Sequence, residues 1–338
     1  MIAPTPIAPM EARLAEQLPE GEGWQYEPKW DGFRAIAEVG RSGVILHSKS
    51  GKPLGRYFPD IVASVEAAVP SGTTLDGELV IPVGEHLSFG ALQARLHPAA
   101  SRVARLAAEA PAQFILFDCL RRDGSDFEAE PLARRRLALA ELHRSLARSD
   151  LILSPATTDI AGARAWLEAS GGALDGVVAK RLDEPYRRGE RAMVKIKQLR
   201  TADCVVGGYR ENAAGDVVSL LLGLYDAGRL DHVGFTSTFA KADRSALAAL
   251  LWRHRGEAGF TGDAPGGPSR WNGGKERPWT PLDGRLVAEV VYDQVSEGRF
   301  RHGTRFLRWR PDKDPRQCDR SQLIRELRPA ELRTIGIG

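Results

Sequence analysis

The first 200 residues read as short apolar runs bounded by Gly, Pro or Asp. Strand candidates fall at 33–39, 44–48, 73–81, 113–120, 176–180 and 192–197, each rich in β-branched or aromatic side chains. Residues 131–146 carry leucines at 132, 137, 139, 142 and 146, the spacing of an amphipathic helix. Strands outnumber the two or three helical stretches, and no β-α-β-α rhythm appears. That predicts an α+β fold with antiparallel sheets rather than a doubly wound one.

Beyond Arg200 the pattern changes. Residues 203–210, 217–224, 229–235, 285–292 and 306–310 predict five strands, with a helix at 243–254 between the third and fourth. This is the element count of a small Greek-key barrel of the OB-fold type. Residues 256–281, rich in Gly and Pro, read as a long surface loop. The simplest division is a domain at 1–200 followed by an OB-fold domain at 201–338.

Composition narrows the function classes. No run of about 18 apolar residues exists, which excludes a transmembrane helix. The residues before Arg13 contain no basic side chain and do not read as a signal peptide. Cys119, Cys204 and Cys318 are odd in number and far apart, so neither a disulfide framework nor a CxxC zinc site is expected. A cytoplasmic protein is the expectation. The net charge of +3 is too small to argue for nucleic acid, but residues 1–200 are charge-balanced and the excess lies beyond them. Arg299, Arg301, Arg305, Arg308 and Arg310 fall in a stretch without acids, interleaved with Phe300, Phe306 and Trp309. Such a segment suits a phosphate backbone, with Arg299, Arg301 and Arg305 as DNA contacts. A solvated strand face is the alternative.

The chemistry concentrates in a few short motifs. Glu27-Pro28-Lys29-Trp30-Asp31-Gly32-Phe33-Arg34 sets a lysine at a strand end before an Asp-Gly pair, which alone is an ordinary hairpin signal. A lysine becomes a nucleophile once cations or burial loosen its proton. Leu75-Asp76-Gly77-Glu78-Leu79 places a carboxylate after a second Asp-Gly turn, and 114–118 is an apolar strand ending in an acid. Asp175-Gly176-Val177-Val178-Ala179-Lys180 puts an acid before a glycine and a hydrophobic strand with lysine at its far end. Lys195 and Lys197 alternate onto one strand face, where only an intervening anion such as a polyphosphate relieves their repulsion.

In this order the motifs resemble the covalent nucleotidyltransferases: DNA ligases, RNA ligases and capping enzymes. Lys29 to Arg34 matches their KxDGxR motif, and Arg305 to Lys313 resembles the R-x-D-K ending of ATP-dependent DNA ligases. The likeness spans essentially the whole chain and is nearest the small bacterial LigC kind. It implies an ATP-grasp-like nucleotidyltransferase domain and an OB-fold domain. Lys29 would attack the α-phosphate of ATP, release pyrophosphate and form a lysyl-AMP. Glu27 would lie along the adenine and Phe117 would stack on it. Arg34 and Glu78 would meet the ribose. Glu78 and Asp175 would hold Mg²⁺ or Mn²⁺, and Lys195 and Lys197 would neutralise the α-phosphate. Arg308, Arg310 and Lys313 would close over the triphosphate, with a hinge near residues 198–203. In two places the chain departs from its relatives. Asp175 stands where most carry Glu, and Lys49, in Ser48-Lys49-Ser50-Gly51, stands where Arg is usual. Lysine contacts a phosphate as a point charge rather than bidentately.

The resemblance implies a monomer that seals 3′-hydroxyl/5′-phosphate nicks in duplex DNA, serving repair at the nucleoid beside other repair proteins. Two competing readings are a GTP-dependent capping enzyme or RNA ligase, and a non-catalytic OB-fold protein that binds nucleic acid through its basic strand.

Overall fold

The computed structural model describes residues 6–83, 86–170, 174–238, 244–257, 259–266, 278–296 and 298–323. The chain forms two compact units, divided between Gln198 and Leu199. The first contains two main sheets. One runs Leu151–Leu153, Gln113–Arg122, Thr73–Val80, Phe33–Gly40, Gly43–Ser48; the other runs Ala12–Ala15, Met193–Ile196, Leu174–Arg181, Trp24–Trp30. Pairing is antiparallel except for two short edge strands, Ala12–Ala15 and Leu151–Leu153, which run parallel to their neighbours. Each is reached by a long connection, as parallel pairing requires.

Among the described residues five helices accompany these sheets, more than the two or three expected: Pro59–Ala68, Phe89–Arg95, Ala100–Glu109, Leu132–Ser145 and Ile160–Glu168. Local chemistry explains their ends. Pro59 sits at a helix start, where its missing N–H is harmless, and the Asp159 carboxylate accepts from the N–H groups of Ala161 and Gly162. The leucine spacing at 131–146 locates a helix but misjudges its face. Leu132, Leu139 and Leu142 are buried, whereas Leu137 is 50% exposed and Arg135 takes a core position. Arg135 is there because Asp118, on the strand beneath, accepts from its Nε and Nη2 at 2.8 and 3.0 Å. Trp166, read as helix core, packs against Tyr26, Trp30 and Val177.

The second unit orders its strands Arg229–Thr236, Val217–Asp226, Arg200–Glu211, Val287–Tyr292, Arg305–Trp309, each antiparallel to the next. The two ends then join. Thr304 N–H donates to Phe235 O at 3.0 Å, and Thr236 Oγ1 donates to Thr304 O at 2.9 Å. The result is a closed five-stranded barrel of OB type, with the helix Arg244–Arg253 between its third and fourth strands. Leu220, Leu222, Leu224, Val233 and Leu251 fill it.

Three expectations for this region change. Residues 200–203, part of the expected hinge, lie inside a strand paired to 289–292, which leaves only 197–199 outside regular structure. The aromatics between the arginines, read as part of a segment suited to a phosphate backbone, belong to the barrel: Phe300 is buried, and Phe306 and Trp309 pack against the same core. The long loop is interrupted by Thr280–Pro281, which pairs with Tyr209 and Gly208; residues 267–277 of it lie outside those described. Cys119, Cys204 and Cys318 are all buried. Among the described residues no helix is long and apolar enough to cross a membrane.

Candidate active site

Three glycines set the geometry of the site. Lys29 is next to last in Trp24–Trp30, and Asp31-Gly32 carries the chain from one sheet into the other. The pair is therefore no hairpin turn: its flanking strands bond to different partners. A Cβ on Gly32 would stand 2.1 Å from Leu79 O, so glycine is required for backbone approach. That approach lets Gly32 N–H donate to Glu78 Oε1 at 3.2 Å. The second Asp-Gly is no turn either. Asp76 and Gly77 lie inside Thr73–Val80, where a register shift against Gln113–Arg122 follows Asp76 and a Cβ on Gly77 would meet Ile115 O at 2.5 Å. At Gly176 φ is +127° and a Cβ would fall 2.0 Å from Ile196 O; the register breaks there, between Leu174 and Val177.

Between the sheets lies a cavity of about 230 Å³. Its walls include Met10, Glu27, Lys29, Arg34, Lys49, Glu78, Phe117, Lys180 and Lys195. Lys29 Nζ donates to Asp175 Oδ2, and Lys197 Nζ pairs with Asp175 Oδ1 at 3.0 Å. Lys195 loses its proton more readily than an ordinary lysine. Burial is the main cause, followed by the neighbouring ammonium groups of Lys29, Lys197 and Lys49. One carboxylate thus faces several cations, which leaves the pocket short of negative charge.

Glu27 is buried, and both its oxygens are engaged: Gln25 Nε2 and Lys180 Nζ each donate to it at 2.7 Å. The Arg34 guanidinium and the Lys180 ammonium stand 4.5 and 4.8 Å from the centre of the Phe117 ring. Arg34 lies opposite Glu78 in the strand register and grips Asp76 through Nε and Nη2 at 2.5 and 2.6 Å. Burial pushes the Glu78 carboxyl up to about 7, and Asp76 adds to this; the positive charges of Arg34 and Lys29 and the Gly32 N–H oppose it. Lys49 is largely exposed at the mouth and pairs with Glu11 at 3.1 Å.

In the barrel, Arg308 Nε donates to Glu289 at 2.7 Å and Arg310 Nη1 to Asp203 at 2.9 Å, with Lys313 3.7 Å from Asp203. Arg310 also holds Asp312, drawing that carboxyl down to about 2. Arg299 and Arg301 meet His232 and Gln294 at 2.7 and 3.0 Å, and Arg305 is exposed at the start of the last strand.

Four residues at or behind the cavity wall escaped the sequence reading of roles: Lys180, which lines it, and Gln25, Asp76 and Tyr186, which stand behind Glu27 and Arg34. Alternation could have found Lys180, two residues beyond Val178 on the same strand face. Nothing local marks Tyr186, because its partners lie 110 and 176 residues away.

Comparison with known proteins fits this geometry. A family model described as ATP dependent DNA ligase domain matches residues 8–197, and one described as ATP dependent DNA ligase C terminal region matches residues 213–313. The chain belongs to the ATP-dependent DNA ligases. Within that family it is of the small bacterial LigC type. DNA ligase C2 of Mycolicibacterium smegmatis is 44% identical over 336 residues, covering 94% of each chain. The multifunctional non-homologous end joining DNA repair protein LigD of Mycobacterium tuberculosis is 30% identical over 311 residues, covering 90% of this chain and 37% of that protein. A solved structure from a study of DNA binding by minimal Lig E DNA ligases shares the fold at a TM-score of 0.55 and 18% identity, covering 89% of this chain and 99% of that one.

Proposed function

We propose that Lys29 is the nucleophile that accepts AMP from ATP. The observation that carries this is the placement of its Nζ on the cavity wall, among Lys195 and Lys197, with Asp175 as their shared counter-ion. The free amine attacks the α-phosphorus; a P–N bond forms and pyrophosphate leaves. AMP then passes to the 5′-phosphate of a nick in duplex DNA, the 3′-hydroxyl attacks, and AMP departs. Catalysis of this kind is mostly positioning and charge neutralisation. Lys195 and Lys197 neutralise the α-phosphate, Glu27 and Phe117 receive the adenine, and Arg34 and Glu78 receive the ribose. Lys49 meets phosphate at the cavity mouth.

Among the described residues no group of three or more His, Cys, Asp or Glu could hold a metal. Mg²⁺ needs fewer, since one or two carboxylates suffice when phosphates and waters complete its shell. Glu78 and Asp175 fit that role, and Mg²⁺ or Mn²⁺ held there would neutralise phosphate oxygens. Arg308, Arg310 and Lys313, now paired with Glu289 and Asp203, would turn to the triphosphate, and Arg299, Arg301 and Arg305 to DNA. The adenylyltransferase domain is the unit that ends at Gln198 and the OB-fold domain the one that begins at Leu199, two residues before the division expected at residue 200. The protein works as a monomer at the nucleoid in DNA repair, and of this reading the repair role draws support from the relative named for end joining.

Incubation with α-labelled ATP tests the core of this. The wild type is expected to carry a covalent label and to seal a nicked duplex, and Lys29→Ala to do neither. A label that survives Lys29→Ala would falsify the assignment.

A further inference from the structure

Residues 9–12 wall one side of the nucleotide cavity, and one buried phenol ties that wall to Arg34. Tyr186 is 6% exposed and packs with Ile7, Met10 and Ile36. Its hydroxyl donates to Asp76 Oδ2 at 2.6 Å and accepts from the Met10 N–H at 2.9 Å. Asp76, wholly buried, also receives both Arg34 nitrogens, and Arg34 Nη2 reaches on to Met10 O at 3.3 Å. Tyr186, Asp76, Arg34 and Met10 therefore close a ring of hydrogen bonds. Met10 and Arg34 face the cavity, and the other two stand behind them.

We infer that Tyr186 is a positioning residue for the nucleotide: it holds the segment around Met10 as a cavity wall and aims Arg34 through Asp76. The inference rests on the adenylylation site proposed above. A phenol supplies one donor and one acceptor here, and both are used. Phenylalanine keeps the volume but leaves the Met10 N–H and a carboxylate oxygen buried with one partner fewer. Lys29 and its neighbours keep their contacts. The consequence falls on nucleotide binding rather than on the chemical step.

The test is single-turnover adenylylation of the full chain over a range of ATP concentrations, with timed trypsin cleavage after exposed Arg13. Tyr186→Phe should raise the half-saturating ATP concentration about tenfold. The maximal rate should stay within about twofold, and cleavage after Arg13 should quicken. Half-saturation and cleavage both matching wild type would overturn the inference, as would a loss confined to the maximal rate. Should Tyr186→Phe fail to accumulate, Ile7→Ala loosens the same wall from its outer end without touching the ring, and the same two shifts are expected. Unchanged behaviour in that variant is equally fatal. The site itself is judged separately: a label that persists in Lys29→Ala removes the adenylylation reading, whereas a wild-type adduct on Lys29 with an indifferent Tyr186→Phe removes only this inference.

Discussion

At the scale of single residues, Glu78 carries a measurable cost. Its carboxyl titrates at about 7 in the fold against 4.5 ordinarily, so between those pH values the folded chain holds the proton more tightly than the unfolded chain. Stability from this group therefore falls as pH rises through that window, and a constant penalty remains above it. Glu78→Gln removes the penalty. Its melting temperature should exceed wild type at pH 8 by a few degrees, at about 2–4 °C per kcal/mol for a unit of about 200 residues, and the gap should close below pH 4.5. Arg135 behaves oppositely. Deleting one partner of a fully buried pair strands the other charge, so Arg135→Leu should lose about 3–5 kcal/mol in urea unfolding. Lys29, Glu78 and Asp175 were legible beforehand because their motifs are contiguous. The residues that hold Glu27 and Arg34, Gln25 excepted, were not, because Lys180 and Asp76 arrive through strand pairing between distant segments and Tyr186 from a segment outside the strands.

At the scale of elements, most strand positions were legible to within two residues, since alternation and turn residues are local. Arg200–Glu211, however, begins three residues earlier than expected, and the short edge strands Ala12–Ala15 and Leu151–Leu153 were missed. Sheet membership was not legible. Asp31-Gly32 carries the features of a hairpin, yet the strands on either side enter different sheets, and only the close contact at Leu79 O shows why glycine is there. Gly176 gives the sharper test. Its φ of +127° and the 2.0 Å approach to Ile196 O both forbid a side chain. Gly176→Ala should shift the Asp175 bulge and weaken Lys29 adenylylation by at least about tenfold, because a displacement near 1 Å at a reacting group can cost about a hundredfold. Wild-type adenylylation in this variant would show that the bulge has no part in placing Asp175.

At the scale of the molecule, the barrel strand begins at Arg200 and the preceding strand ends at Ile196, so any bending between the units must be absorbed by residues 197–199. Trypsin cleavage after Lys197, followed with and without ATP, is expected to change rate on nucleotide addition. Equal rates would count against a hinge at this place. The change in strand and glycine pattern near residue 200 coincides with the start of the barrel strand at Arg200. A barrel was legible in the element count; the pair that closes it, Thr236 and Thr304 across 68 residues, was not.

The buried thiols have a practical corollary. Desolvation pushes Cys119 and Cys318 up to about 12 and Cys204 higher than an ordinary thiol as well, so none offers a thiolate at neutral pH. A maleimide dye should therefore ignore the native chain. A single cysteine installed at exposed Leu199 would then be the one reactive handle on the folded protein, ready for fluorescence measurements of how that linker responds to nucleotide and DNA.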